Sequence, residues 1–199
     1  MSRRNKTEPR VRVMLVDDDR CRLQRLQTAL ADAGHDVVLH LSNTDDLLRA
    51  IERYQPDVIL IDTEAPGRDT LESLNQISQE RPRPIVLFSD NGDPETIRRA
   101  IKAGVSAYVV DGLVASRLKS LIEVAIAQFE QHQSLKREVD DAKAKLTDRN
   151  DIDRAKLVLM QRSKLSESQA YDRLRRLAMD QKLKLGDVAR AVLAIAGED

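Results

Sequence analysis

The chain has 199 residues, of which 41% are apolar, so it can bury the core of one large domain or two small ones. Its single cysteine, Cys21, excludes an intrachain disulfide and a cysteine-rich zinc site, and no apolar run reaches the roughly 20 residues that span a bilayer, so we expect a cytoplasmic protein. The net charge is zero, but residues 13–115 hold 18 acids against 11 bases, whereas residues 148–199 hold 11 bases against 9 acids.

Strand and helix signals alternate over the first 110 residues. Amphipathic stretches predict four helices, the first closed by Gly34 and the fourth capped by Asp93 and stopped by Gly104. Five short apolar runs predict strands at 11–16, 37–39, 58–61, 84–88 and 107–110. Five β-α units with short connections predict a doubly wound parallel sheet of the α/β class.

A long helix is predicted after the sheet, because residues 113–147 contain neither proline nor glycine. Alternating steps of three and four residues define one seam along it: Leu118, Leu121, Ala125, Gln128, His132, Leu135, Val139, Ala142 and Leu146. This spacing predicts a coiled-coil stem over 113–147 that makes a homodimer. The alternative is a single surface helix packed on its own domain.

The remaining residues, 148–196, predict a bundle of three short helices. Ser166 and Gln169 have the spacing of a capping box, which places the start of the second helix. The eleven bases could form a basic face that follows nucleic-acid phosphates, but a solvated surface of ion pairs explains them equally well.

Acidic and hydroxyl side chains follow the predicted strands. Asp17 and Asp18 follow the first strand, Asp62 the third and Ser89 the fourth. In a doubly wound sheet the carboxyl ends of the strands form one rim, where ligands bind. Carboxylates gathered at this rim repel one another unless a cation joins them, and oxygen ligands select a hard ion such as Mg²⁺. A carboxylate beside Mg²⁺ can also accept a phosphoryl group.

On these residues, the front part resembles the response-regulator receiver domain over 11–128. The motifs that carry the resemblance are 13–19, 56–62, 66–69 and 88–89. It implies a sheet of order 2-1-3-4-5, with Asp62 as the phosphoacceptor position and Asp17, Asp18 and Asp62 as ligands of a possible but not required Mg²⁺. It also implies that Ser89 senses a phosphate and that Tyr108 is the aromatic switch residue.

Asp111 departs from the receiver pattern, because it stands where the family usually has a lysine. An aspartate adds negative charge where a lysine would pair with phosphoryl oxygens. At about 4 Å two unit charges interact by roughly 4 kcal/mol at an effective dielectric of 20, so the phosphorylated state should be weakened. One interpretation is therefore an acidic pocket that does not signal by phosphorylation, and the other is a pocket whose Asp62 is phosphorylated.

The tail resembles the ANTAR domain, the RNA-binding module of bacterial antiterminators, over 148–196. The motifs are 152–160 and 168–179, with Leu157 where the family often has glycine. Segments 62–69 and 104–113 further resemble the NasT type of nitrate-assimilation regulators. The resemblance implies binding of tandem leader-RNA hairpins and control by a sensor protein that binds nitrate. The predicted RNA contacts are Lys156, Arg175, Arg154, Arg176 and Tyr171.

Two other functions stay open, a DNA-binding response regulator and a protein-only adaptor. The third predicted tail helix has Arg190 as its single base, which is poor for contacts in the major groove. An enzyme is not expected, because the sequence shows no nucleophile triad, P-loop or histidine metal cluster.

Overall fold

The computed structural model describes residues 10–17, 19–44, 46–110 and 115–196. The chain divides into two compact units, Met1–His132 and Gln133–Asp199, and the boundary falls within the longest helix. The strands are β1 (Arg12–Val16), β2 (Asp36–Leu41), β3 (Val58–Asp62), β4 (Ile85–Ser89) and β5 (Ala107–Val110). The helices are α1 (Arg20–Asp32), α2 (Leu47–Tyr54), α3 (Arg68–Glu80), α4 (Pro94–Lys102), α5 (Leu118–Ser163), α6 (Glu167–Gln181) and α7 (Leu185–Ala196), with a short 3₁₀ turn at Ala115–Arg117 before α5.

The first unit is built on a five-stranded parallel sheet of order β2-β1-β3-β4-β5, which confirms the predicted doubly wound fold. Every residue of β3 and β4 is buried, as expected for central strands covered by helices on both faces. One face carries α2, α3 and α4, and the other carries α1 and the first turns of α5.

Helix α5 extends over 46 residues from Leu118 to Ser163. The first of the three predicted tail helices is therefore the end of α5 and not a separate element, because no proline or glycine interrupts residues 113–163. Leu118 and Ala125, the start of the predicted seam, are buried in the sheet cluster. The later seam residues Leu135, Val139 and Leu146 are each at least half exposed.

The second unit packs the end of α5 against α6 and α7. Its core is made of small and branched side chains: Ala155, Leu174, Ala178, Val188 and Ala189. The capping box is formed as predicted, since Ser166 accepts a hydrogen bond from the Gln169 N–H and its own N–H donates to the Gln169 side chain. A Cβ added at Gly186 would overlap the Asp148 carboxylate, so α7 approaches α5 closely at this glycine. Within the described ranges, no helix has the length and apolar character needed to cross a membrane.

Candidate functional site

Two of the predicted pocket carboxylates lie at adjacent strand ends. Val16 of β1 pairs with Ile61 of β3, so the next residues, Asp17 and Asp62, are neighbours on adjacent strands. Both line the same narrow cleft. Asp17 is 2% exposed and Asp62 9% exposed. The backbone holds Asp17 on both sides, because its N–H donates to the Leu41 carbonyl at 3.0 Å and its Oδ1 accepts from the Asp19 N–H at 2.8 Å.

The chemistry of this pair fits a hard cation, because two buried carboxylates offer only oxygen ligands. Asp18, the third predicted ligand, lies outside the described residues, and the described part contains no group of three His, Cys, Asp or Glu side chains that could hold a metal. Two carboxylates at neighbouring strand ends repel one another, and a cation between them would relieve this repulsion.

His40 supports this rim from β2, and its role was not predicted from the sequence. Its Nε2–H donates to the Asp17 carbonyl oxygen at 2.8 Å, which fixes the backbone at the end of β1. A cavity of about 380 Å³ extends from Asp62 toward the β2–α2 loop, and its lining includes four hydroxyl-bearing residues: Ser42, Thr44, Thr63 and Thr70. The predicted second strand, 37–39, stops one residue before His40, whereas β2 extends to Leu41, so no sequence signal pointed to this contact.

A chain of hydrogen bonds joins Ser89 to Tyr108 through Asn91. The Ser89 hydroxyl donates to the Glu64 carbonyl at 2.8 Å and accepts from the Asn91 N–H at 3.2 Å, while the Tyr108 hydroxyl donates to the Asn91 carbonyl at 2.7 Å. The Asn91 side chain accepts from the N–H of Asp93, the residue that caps the start of α4. Two of the predicted switch residues, Ser89 and Tyr108, are thus hydrogen-bonded to the same loop residue. Asp111, the third, lies outside the described residues.

In the second unit, Lys156 lies in a double ion pair. Its Nζ is 2.8 Å from Asp153 Oδ1 on its own helix and 2.8 Å from Glu167 Oε1 at the start of α6, and its side chain is 17% exposed. The hydrogen bonds to Asp153 and Glu167 raise the pKa of Lys156, and the bond from Lys156 lowers the pKa of Asp153. This predicted RNA contact therefore also connects two helices.

Tyr171 and Arg175 form an exposed strip on α6, because they are four residues apart and lie one turn above each other. Met179, 68% exposed, continues this strip by one further turn. Arg154 is exposed on α5 and lies nearly on the opposite side of that helix from Lys156, because two residues turn the helix by about 200°. Arg176 lies on a different side of α6 from Tyr171. In the described part of the chain, neither Arg154, Arg175 nor Arg176 has a carboxylate within ion-pair distance.

Arg190 on α7 is held by three carboxylates. Its guanidinium lies 2.7 Å from Asp148, 3.3 Å from Asp151 and 2.6 Å from Asp187. These hydrogen bonds, above all the one to Asp148, raise the pKa of Arg190. The cluster joins α7 to α5 and leaves this base neutralised, so it is a poor candidate for contacting nucleic acid.

The fold agrees with family comparisons. Residues 13–123 match the response regulator receiver domain, which is more than half of the chain, and the chain belongs to this family. Receiver domains commonly bind Mg²⁺ for phosphorylation, and they imply a sensor kinase partner. Residues 140–193 match the ANTAR domain, so the protein is a response regulator of a regulatory, non-enzymatic kind that carries receiver and ANTAR domains.

One relative is similar along nearly the whole chain. The transcriptional regulatory protein PdtaR of Mycobacterium tuberculosis is 28% identical over 94% of this chain and 91% of its own length. The DNA-binding transcriptional regulator NtrC of Salmonella typhimurium is 31% identical, but over 61% of this chain and 26% of its own. Among solved structures, the receiver domain of a modulated diguanylate cyclase from Desulfovibrio desulfuricans has a TM-score of 0.54 at 26% identity, over 62% of this chain and 99% of that one.

Proposed function

We propose that this protein is a transcription antitermination regulator that binds tandem hairpins in leader transcripts through its ANTAR domain. The observation that carries the proposal is the pairing of a receiver domain with an ANTAR domain on one chain. The similarity to PdtaR across both domains supports it, because that protein is a transcriptional regulator of nearly the same length.

The strip of Tyr171 and Arg175 is the part of the bundle best suited to RNA. Arg175 is exposed and unneutralised in the described part of the chain, so its guanidinium is available to a phosphate or a base edge. Tyr171 is 42% exposed one turn away and can stack on a base unpaired in a hairpin loop. Lys156 would join these contacts at the edge of the strip, with Arg154 and Arg176 contacting phosphates at the sides.

Control is assigned to the receiver. Asp62 is the phosphoacceptor position, Asp17, Asp18 and Asp62 would hold Mg²⁺, and Ser89, Tyr108 and Asp111 form the switch. A bound Mg²⁺ would neutralise charge on a phosphoryl group. Asp111 in place of a lysine favours control that does not depend on a long-lived phosphorylated state, and we assign that control to a sensor protein that sequesters the regulator. Segments 62–69 and 104–113, which resemble the NasT type, make nitrate and nitrite assimilation genes the proposed targets.

The seam of α5 is proposed to make a homodimer, with domain bounds of 11–128 for the receiver, 113–147 for the coiled-coil stem and 148–196 for the bundle. Two bundles on one dimer would engage two hairpins and gain affinity from their linkage. The absence of a membrane-spanning helix among the described residues is consistent with the cytoplasm as the place of action.

The two alternatives are less well supported. A DNA-binding regulator needs a recognition helix with free bases, yet Arg190 of α7 is engaged by three carboxylates. A protein-only adaptor is disfavoured by the match of residues 140–193 to the ANTAR domain. Parallel gel shifts with leader RNA and with promoter DNA separate these functions, since an adaptor would bind neither.

The experiment that tests the proposed contacts is hairpin binding by Arg175→Gln. We expect about tenfold weaker binding to a two-hairpin leader RNA, because one charge-assisted contact is lost. The slope of the logarithm of the binding constant against the logarithm of the salt concentration should also become shallower, by somewhat less than one unit. The matched control is Arg99→Gln, which removes an exposed arginine from α4 in the other unit and should leave binding unchanged. Equal affinity of Arg175→Gln and wild type would remove the strip from the interface.

A further inference from the structure

A second cavity lies at the amino ends of the strands, at the opposite edge of the sheet from Asp62. Its volume is about 700 Å³. Three of the chain's six prolines, Pro56, Pro82 and Pro84, form part of its wall, and their fixed backbone angles make that wall stiff. The rim is closed by hydrogen bonds from the Asp57 N–H to the Arg12 carbonyl and from the Arg12 N–H to Asp57 Oδ2, both 2.8 Å. The cavity is therefore formed before any ligand arrives.

Two guanidinium groups are held at this cavity by neutral acceptors. Arg12 donates to the Tyr54 carbonyl at 2.6 Å, and Arg83 donates to the Pro82 carbonyl at 3.1 Å and to Gln55 Oε1 at 2.8 Å. Across the described ranges, neither arginine has a carboxylate within ion-pair distance. Hydrogen bonds to neutral groups therefore hold both guanidinium groups in place without pairing their positive charges with a carboxylate.

Three other charged residues line the cavity, one arginine and two acids. Asp57 accepts from the backbone of Arg12, Glu130 is exposed, and the third arginine, Arg10, lies 3.8 Å from Asp36. Because Arg10 is paired with Asp36, Arg12 and Arg83 face two acids, and the lining as a whole has no net positive charge. An anion would be attracted by these two guanidinium groups, which within the described ranges have no carboxylate at ion-pair distance, and not by the net charge of the cavity.

The side of the cavity formed by α5 is apolar. Ile126 and Phe129 are both partly buried and line the cavity less than two turns before the unit boundary at His132. A phenyl ring offers a flat surface on which a planar ring can pack. The combination of two arginine forks and an aromatic wall matches a ligand that has a phosphate at one end and a ring at the other.

We propose that this cavity binds a nucleoside phosphate. Arg12 and Arg83 would hold the phosphate through paired N–H donors, and Phe129 and the prolines would enclose the base. The volume falls within the range of about 300–1,000 Å³ that is usual for small-molecule sites. The ligand would contact α5 directly, so the cell's nucleotide state could act on this regulator without involving Asp62.

The test is titration calorimetry on the full chain with AMP, ADP, GMP and GDP, in EDTA so that the carboxylate rim holds no metal. The two half-ligands are inorganic phosphate and the nucleoside of the nucleotide that binds best, adenosine or guanosine, and each should bind at least tenfold more weakly than that nucleotide. Arg83→Gln and Arg12→Gln should each weaken that nucleotide about tenfold, because each loses a charge-assisted contact. The matched control is Arg81→Gln, two residues away, which pairs with Glu52 and does not line the cavity.

Three results would overturn the proposal. The first is no heat of binding for any of the four nucleotides up to millimolar concentration. The second is a nucleotide affinity that is unchanged in both arginine variants, each checked by thermal unfolding to be folded. The third is inorganic phosphate binding as tightly as the nucleotides, which would reduce the cavity to a nonspecific anion site.

Discussion

Asn91 shows how a single loop residue can connect a site to a helix. Its N–H donates to the Ser89 hydroxyl, its carbonyl accepts from the Tyr108 hydroxyl, and its side chain accepts from the Asp93 N–H. The end of β4, the switch tyrosine and the start of α4 therefore depend on one residue. A change in the hydrogen bonding of Ser89 would therefore reach Tyr108 through this single residue. The sequence shows Asn91 only as a polar loop residue, and its partners become visible only after folding.

Tyr108→Phe tests this connection. It removes the hydroxyl that donates to the Asn91 carbonyl and keeps the ring, so we expect a local cost of about 1 kcal/mol and roughly fivefold faster hydrogen exchange at the Asn91 and Asp93 amides. The matched control is Tyr54→Phe, since the Tyr54 hydroxyl has no hydrogen-bond partner within the described ranges. Exchange rates unchanged in Tyr108→Phe would show that this hydrogen bond does not hold the loop.

Lys156 and Arg175 illustrate what a motif can and cannot reveal. Both are predicted RNA contacts on the same resemblance, yet Lys156 lies between two carboxylates whereas Arg175 is unpaired in the described part of the chain. Asp153, three residues before Lys156, is a local partner visible in the sequence. Glu167 is eleven residues away on another helix, and this tertiary contact was beyond sequence reasoning.

At the scale of elements, the pair of Lys156 and Asp153 near the end of α5 should make the stability of the second unit depend on pH. The Lys156 bond lowers the pKa of Asp153 below its ordinary value of 3.8, so the stabilisation is present above that value and is lost as the pH falls through the lower folded pKa. The raised pKa of Lys156 keeps the ammonium charged over the same range. We expect the urea midpoint of the second unit to fall as the pH drops below about 3.8. The part of this fall that is due to the pair should be missing in Lys156→Met. An identical pH profile for wild type and variant would contradict this assignment.

The approach of α7 to α5 depends on one glycine. Gly186→Ala would push a methyl group into the Asp148 carboxylate, which also binds Arg190, and we expect a loss of about 1–3 kcal/mol in the free energy of unfolding. Gly67→Ala is the control, because a Cβ there meets nothing within 4 Å and its φ is −72°. Denaturant unfolding followed by circular dichroism measures both, and equal stability of the two variants would contradict the close approach.

The predicted elements agree with the structure where local patterns are strong. The five strands, the glycine ends of α1 and α4 and the capping box of α6 depend on neighbouring residues, and all are found. The prediction of a separate first tail helix was wrong, because the stem and the tail meet without a proline or glycine that would end a helix. The burial of Leu118 and Ala125 against the sheet was not visible either, since a seam and a core face have the same spacing.

At the scale of the whole molecule, the exposed seam of α5 predicts a dimer. Leu135, Val139 and Leu146 are exposed apolar residues on one helix face, and Val139→Asp should place a charge in the seam and shift the protein toward monomer. The matched control is Lys136→Asp, which introduces the same residue one position outside the seam. Sedimentation velocity would measure both, and a wild-type protein that is monomeric at high micromolar concentration would contradict the stem.

The two units have opposite chemistry, and this difference underlies the proposed division of work. The first presents buried carboxylates and a hydrogen-bonded switch, whereas the second exposes arginine and tyrosine on one helix. The composition of the sequence already separated the acidic part from the basic part. It did not reveal the cavity of Arg12 and Arg83, because its walls come from four distant segments that only the fold brings together.

The central claim, that the tail binds folded leader RNA, is tested most directly by crosslinking the protein to RNA in its own cells and sequencing what is recovered. We expect enrichment of leader transcripts that contain two adjacent hairpins upstream of a terminator, and a large loss of this enrichment in Arg175→Gln. Recovery of no RNA above a mock control, or of RNA without paired hairpins and equally in the variant, would contradict the account.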